Sequence, residues 1–303
     1  MSFSEAIKAE LSRHYPESSC CARAELLGLL RTAGHLYILG NGGGNLEVST
    51  EYPSVARHVF SILKDEFFVH SEVLFRKEKR LRRANVYLVR VKGRKALEIV
   101  ERLGALTTAP LGSVSCRCCA MSFLKGSFLG GGSLSSPEKG YHLEIRLGTN
   151  DDTLRLAKQA SELLDLKPAF LQKKDGFMLY IKESEQISDF LKAVGASSTL
   201  FHYEEVRVVK DLKGMVNRLV NCETANLNKA VDASLKQIEA IQAIEASVGL
   251  HSLPPKLREL AKLRLAHPDL TLKELGEKMN PKLGKSGVNH RMRQILNIAR
   301  SYQ

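Results

Sequence analysis

Five of the six cysteines sit in two tight groups, Cys20-Cys21 and Cys116-Arg117-Cys118-Cys119. Thiols grouped in this way act either as soft-metal ligands or as plain buried side chains. Chelation usually leaves two or more residues between paired sulfurs so that the backbone can turn round the ion. The vicinal spacing therefore argues for buried thiols, and no metal is assigned from the sequence. The thiols of Cys20, Cys21, Cys118 and Cys119 could still converge if the segments carrying them pack together. Carboxylates offer a second chemistry, since Glu47 in Leu46-Glu47-Val48 and Glu144 in Leu143-Glu144-Ile145 hold matched positions and could bind a divalent cation. A charged residue on a short half-buried strand more often lies on its solvent face, which is the expectation for both. A third set lies near the C terminus, where Asn289, His290, Arg293 and Asn297 share one face of a helix. Asn can read adenine there, and Arg guanine.

The elements that position these groups follow from a repeat. Cys20 to Gly34 aligns with Cys118 to Gly132 without a gap, and the spacing from each Cys pair to the glycines is the same. Helical periodicity in Val55–Leu63 matches that in Leu156–Leu164, and a pair of short strands follows each. In the first copy these are Glu72–Arg76 and Val86–Val91; in the second, Ala169–Lys173 and Phe177–Ile181, joined by the turn Lys174-Asp175-Gly176. Each copy closes with an amphipathic helix, so one unit is α-β-β-α-β-β-α, twice over. Gly28 and Gly126 would let the two opening helices approach closely, and Gly34 and Gly132 suit helix stops. The fold class expected is α+β, with a duplicated half followed by an all-α domain. Residues 1–106 form the first repeat, 107–204 the second, 205–252 a helical linker and 253–303 a DNA-reading domain, with Thr107–Ser113 as the joint between copies.

Within the linker, Asn221 and Thr224 favour a cap at a break between two helices; the same Asn-rich segment could instead touch DNA phosphates or dock the last domain. Leu253-Pro254-Pro255 marks a boundary. Beyond it Thr271-Leu272-Lys273-Glu274 opens a helix with a capping box, and a further helix follows Ser286. On that helix Val288, Met292, Ile295 and Ala299 form an apolar stripe opposite the polar face.

A chain of 303 residues with 44% apolar content has the composition of an ordinary folded protein. The formal charge of +12 favours a polyanionic partner, double-stranded DNA first. No apolar run is long enough to cross a bilayer and the N terminus lacks a signal-like core, so no membrane partner and a cytoplasmic, nucleoid-associated location are expected. From Thr271 to the end there are seven Lys or Arg against two Glu. Thr271, Lys273, Ser286, Asn289, His290 and Arg293 are expected to approach DNA, with Lys282, Lys285 and Arg291 on phosphates. A second basic run, Arg76, Lys77, Lys79, Arg80, Arg82 and Arg83, falls on a hairpin of the first repeat.

The paired segments resemble the central helices of LAGLIDADG homing endonucleases, and the span from Thr271 to Ile295 resembles helix-turn-helix modules of the sigma-factor region 4 type. The resembled nuclease fold places one metal-binding carboxylate at the base of each helix; the matching positions here are Ala33 and Gly131, which have none. The degenerate repeat, the segment Asn217-Arg218-Leu219-Val220-Asn221-Cys222-Glu223-Thr224-Ala225-Asn226 and the terminal Lys285-Ser286-Gly287-Val288-Asn289-His290-Arg291 are together similar to the WhiA family over essentially the whole chain. That resemblance implies a regulator of transcription, of sporulation in some lineages and of cell division and chromosome segregation in others. It implies a nuclease-like half without nuclease activity, no cofactor, and a helix-turn-helix carrying most of the DNA affinity. The competing readings are a metal-dependent endonuclease using Glu47 and Glu144, and a module that docks another transcription regulator through the duplicated half.

Overall fold

The computed structural model describes residues 2–39, 43–77, 85–104 and 114–301. The chain divides into two compact units, Met1–Lys210 and Asp211–Gln303. The first unit opens with α1 (Phe3–Leu11), whose start is fixed by a capping box between Ser2 and Glu5. The first repeat then runs α2 (Ser19–Ala33), β1 (Gly34–Ile38), β2 (Gly44–Thr50), α3 (Pro53–Phe67), β3 (Glu72–Lys77), β4 (Asn85–Gly93) and α4 (Arg94–Arg102). The second runs α5 (Arg117–Gly131), β5 (Gly132–Leu134), β6 (Leu143–Gly148), α6 (Asp151–Leu163), β7 (Ala169–Lys173), β8 (Gly176–Ile181) and α7 (Ser184–Val194). The expected α-β-β-α-β-β-α order is present in both copies.

Each repeat folds its strands into an antiparallel sheet, ordered β1-β2-β4-β3 in one and β5-β6-β8-β7 in the other. The same non-sequential order in both sheets is what duplication of one unit produces. Alternation along the central strands turns Leu46, Val48, Val89 and Val91 in one sheet, and Leu143, Ile145, Leu179 and Ile181 in the other, into a single core with α2 and α5. α2 and α5 are buried along most of their length because each is covered by its partner helix as well as by the sheets.

The helix pair is held close by glycine. A methyl group on Gly28 would strike the Phe123 carbonyl oxygen and lie 2.8 Å from the Ser127 nitrogen; one on Gly126 would strike the Glu25 carbonyl oxygen and lie 2.8 Å from its carbon. Phe123 and Glu25 are themselves matched by the repeat, so the two contacts are related as by a two-fold axis. Gly34 and Gly132 are where α2 and α5 stop, but not in the left-handed conformation. Both have extended backbone, with φ −90° and −84°, and each is the first residue of a strand. Glycine is needed there for space, since a Cβ would press on Leu30 or Phe128.

One buried ionic group breaks the symmetry. Glu25 accepts from Lys125 Nζ at 3.1 Å and lies 2.6 Å from His58 Nε2, while Lys125 also donates to the His14 carbonyl at 2.6 Å. Glu25 and Lys125 stand opposite repeat-mates that are apolar, Phe123 and Leu27. The ion pair therefore joins unlike positions of the two copies across the helix contact.

The helix α8 (Ser197–Ser247) carries the chain from the first unit into the second. Glu10 caps its start by accepting from Ser198 N at 2.6 Å and Thr199 N at 2.9 Å. The break expected at Asn221 and Thr224 is absent, because both are exposed residues within this one helix. Asn and Thr each cost only about half a kcal/mol in a helix interior, and the Leu, Lys, Ala, Glu and Val around them outweigh that. The second unit adds α9 (Pro255–Ala266), α10 (Leu272–Glu277) and α11 (Lys285–Arg300). Its core continues upstream of the Pro254-Pro255 boundary into α8, which contributes Ala240, Ile241 and Ile244. The proposed joint Thr107–Ser113 lies outside the described residues.

Candidate nucleic-acid interface

The C-terminal interface is built on the stripe Val288, Met292, Ile295 and Ala299, all buried as the spacing predicts. These pack with Leu257, Leu260, Ala261, Leu275 and Met279 in one core. Burying that stripe fixes what the rest of α11 presents. At about 100° per residue, Ser286, His290, Arg293 and Asn297 lie opposite the stripe, and all four are exposed. His290 and Gln294 approach at 3.4 Å between ring and amide nitrogens, which brings Gln294 into the same surface. Gln294 was legible in the sequence as the residue one turn beyond His290.

Asn289 and Arg291 are half-buried and lie on opposite flanks, about 200° apart round the helix. Arg291 lines a groove with Pro254, Lys256, Leu257, Gln294, Asn297 and Ile298. Lys282 and Lys285 are exposed at the approach to α11, as are Thr271 and Lys273 at the start of α10. Thr271 has a structural duty too: its hydroxyl accepts from Glu274 N at 3.4 Å while Glu274 Oε2 accepts from Thr271 N at 2.7 Å. The hydrogen bonds from Thr271 hold the Glu274 carboxyl below its ordinary value.

The loop between α10 and α11 is longer than a tight turn and is tied at two places. Leu283 N donates to the Gly276 carbonyl at 2.9 Å, and Asn280 N donates to Glu259 Oε1 at 3.0 Å. A methyl on Gly276 would strike the Leu283 carbonyl and lie 2.9 Å from Val288 Cγ2, so only glycine lets the loop fold back over α10. The preceding loop, between α9 and α10, is held by Arg264, which sequence reasoning missed. It is buried, and its Nη1 donates to the Leu270 carbonyl at 2.7 Å and reaches the carbonyls of Pro268 at 3.4 Å and His267 at 3.5 Å. Burial lowers its pKa, opposed by Asp269. The available signal was its place on the apolar face of α9, at the spacing Leu257, Leu260, Ala261, Arg264.

In the first unit Arg76 and Lys77 are exposed at the end of β3; Lys79, Arg80, Arg82 and Arg83 lie outside the described residues. The neighbouring cations are largely matched by acids. Arg90 pairs with Glu47 at 2.6 Å, Lys92 with Glu72 at 2.8 Å and Lys95 with Glu98 at 3.0 Å. Glu47 was expected on a solvent face but is buried beneath Arg90, because register places the two directly across from one another on β2 and β4. Glu144 is part-exposed, with His142 at 3.5 Å.

Ala33 and Gly131 are the last residues of α2 and α5. A Cβ at Gly131 would lie 2.6 Å from the Arg146 carbonyl and 3.3 Å from Thr32 Cβ, so an acid could not be placed there without moving the backbone. At the other end of these helices the thiols of Cys20, Cys21, Cys118 and Cys119 do converge. Among the described residues they form the one cluster of three or more metal-ligating side chains. No described helix is long and apolar enough to cross a membrane.

Fold and site together define a duplicated LAGLIDADG-like unit followed by a helix-turn-helix. Family models match in the same order: WhiA N-terminal LAGLIDADG-like domain at residues 19–106, WhiA LAGLIDADG-like domain at 120–213 and WhiA C-terminal HTH domain at 216–299. The chain belongs to the WhiA family. It is 46% identical over 311 residues to the probable cell division protein WhiA of Heliobacterium modesticaldum, covering 100% of this chain and 97% of that protein. The corresponding protein of Brevibacillus brevis is 44% identical over 310 residues, covering 99% and 96%. The crystal structure of full-length DUF199/WhiA from Thermatoga maritima aligns with a TM-score of 0.62 at 28% identity, over 100% of this chain and 99% of that one.

Proposed function

We infer that this protein is a sequence-specific DNA-binding regulator of transcription acting in cell division and chromosome segregation, and that it does not cut DNA. The observation that carries the reading is the exposed polar face of α11, where Ser286, His290, Arg293 and Asn297 lie opposite a fully buried stripe. A helix held in this way can enter a major groove with Arg293 toward a guanine and Asn289, on the flank, toward an adjacent base. Lys273, Lys282, Lys285 and Arg291 supply phosphate contacts. The exposed Arg76 and Lys77 of β3 are an auxiliary surface. The process is inferred from relatives named as cell division proteins.

Binding to sites selected from genomic DNA tests this. Arg293→Ala is expected to lose about 1–3 kcal/mol of discrimination at one position, while Lys285→Ala weakens all sequences alike and lowers the salt slope by about one. Selectivity unchanged by Arg293→Ala would refute the placement of α11. Incubating supercoiled plasmid with the protein and magnesium or manganese tests the second half of the reading. Cleavage that disappears in Glu144→Gln would establish a nuclease instead.

A further inference from the structure

The sulfurs of Cys20, Cys21, Cys118 and Cys119 all lie within 4.8 Å of one another. Two come from the first turn of α2 and two from the first turn of α5, related by the same approximate two-fold that opposes Gly28 and Gly126. Cys21 and Cys119 are buried; Cys20 and Cys118 are exposed. We propose that the chain binds one zinc ion through the thiolates of Cys20, Cys21, Cys118 and Cys119, as a structural staple between its two repeats.

The sequence argued against a metal because neighbours on a helix point about 100° apart, so one vicinal pair cannot wrap a cation. Two pairs brought face to face remove that objection, since each supplies two corners of a tetrahedron. With Zn–S bonds of about 2.3 Å the sulfurs stand roughly 3.8 Å apart. The sulfurs already stand within 4.8 Å of one another, so a contraction of about 1 Å at most brings them to that distance. Four soft ligands in a four-coordinate arrangement favour zinc over the hard cations of phosphodiester chemistry. As the Zn–S bonds form, the four thiols release their protons to solvent, and nothing is oxidised.

The surroundings suit the net charge of −2 that four thiolates and a dication carry. Both helices point their N-terminal ends at the cluster, and Arg102 lines the adjoining cavity with Cys20, Cys116 and Cys119, next to Arg23, which is paired with Glu66 at 2.6 Å. Cys116 touches Cys118 sulfur to sulfur at 3.0 Å but has another task. Its sulfur accepts from Cys119 N at 3.4 Å as the cap of α5, the role that its repeat-mate Ser18 performs for Cys21 in α2. The staple is also distinct from the lost nuclease centre, which lies at the other end of 15-residue helices, about 20 Å away.

The test uses the full chain, reduced and freed of metal, titrated with zinc against a chromophoric chelator and with cobalt(II) as a spectroscopic probe. One zinc per chain is expected, and cobalt should give tetrahedral d–d bands with thiolate charge transfer from four sulfurs. Cys20→Ser and Cys118→Ser alter exposed side chains and so leave the fold intact. Each should weaken zinc binding by more than the roughly 100-fold lost with a supporting partner. Cys116→Ser should bind like the parent, since serine caps the equivalent helix. Six titratable thiols with no zinc uptake would overturn the proposal. So would binding lost in Cys116→Ser but kept in Cys20→Ser.

Discussion

The contact between α2 and α5 predicts the outcome of Gly126→Ala. The new methyl would stand 2.8 Å from the Glu25 carbonyl carbon and 3.1 Å from its Cα, and nearer still to the carbonyl oxygen. Carbon contacts are comfortable at about 3.5–4.0 Å, so the helices must part by roughly 1 Å. The obstacle is backbone and cannot rotate aside. A gap of that size forfeits a quarter to a half of the dispersion energy of the facing atoms, and overpacking of this kind costs about 1–3 kcal/mol. The upper end applies here, less about 1 kcal/mol gained by replacing glycine with alanine in a helix. The net loss is about 2 kcal/mol. In a unit of 210 residues that lowers the melting temperature by roughly 4–8 °C. Calorimetry of the full chain reads this, with Gly140→Ala as control because a Cβ there meets nothing within 4 Å. If Gly126→Ala melts at or above the parent temperature while the control behaves, the helices do not meet at this glycine.

Three further outcomes follow from buried charge. Lys125→Met leaves Glu25 with His58 alone in a site where its carboxylate is 1% exposed, and denaturant unfolding should show a loss of about 3–5 kcal/mol. Arg264→Met strips the hydrogen bonds holding residues 267–270. It should cost about 2–3 kcal/mol and weaken DNA binding with the α11 side chains untouched, measurable by chemical unfolding beside a gel-shift titration. Lys8 is held down from 10.5 to about 8, chiefly by burial with Glu51 opposing. Between pH 8 and 10.5 the unfolded chain then binds more protons than the folded one, so stability rises with pH through that window. Below pH 8 the full cost of about 3 kcal/mol is present. Lys8→Met should therefore be more stable than the parent at pH 7 and show a flatter profile from pH 8 to 10; equal slopes would show that Lys8 is not desolvated.

The sequence alone determined what depends on local periodicity and on the repeat. The doubled α-β-β-α-β-β-α order, the turn at Lys174-Asp175-Gly176, the Thr271–Glu274 capping box and the stripe Val288, Met292, Ile295 and Ala299 were all legible, because each follows from residues a few positions apart. So was the absence of acids at Ala33 and Gly131, since a missing carboxylate needs no structure to be seen. Continuity of α8 was misjudged from Asn221 and Thr224 because capping preference is weak and the flanking helix formers decide. Only the tertiary structure could decide which distant groups meet. Glu25, His58 and Lys125 join across the repeats, Arg264 turns inward to hold a loop, and Glu47 disappears beneath Arg90. Most of all, it brings two vicinal cysteine pairs, each unsuited to a metal by its own spacing, to one point, because Gly28 and Gly126 let the two helices that carry them meet backbone to backbone.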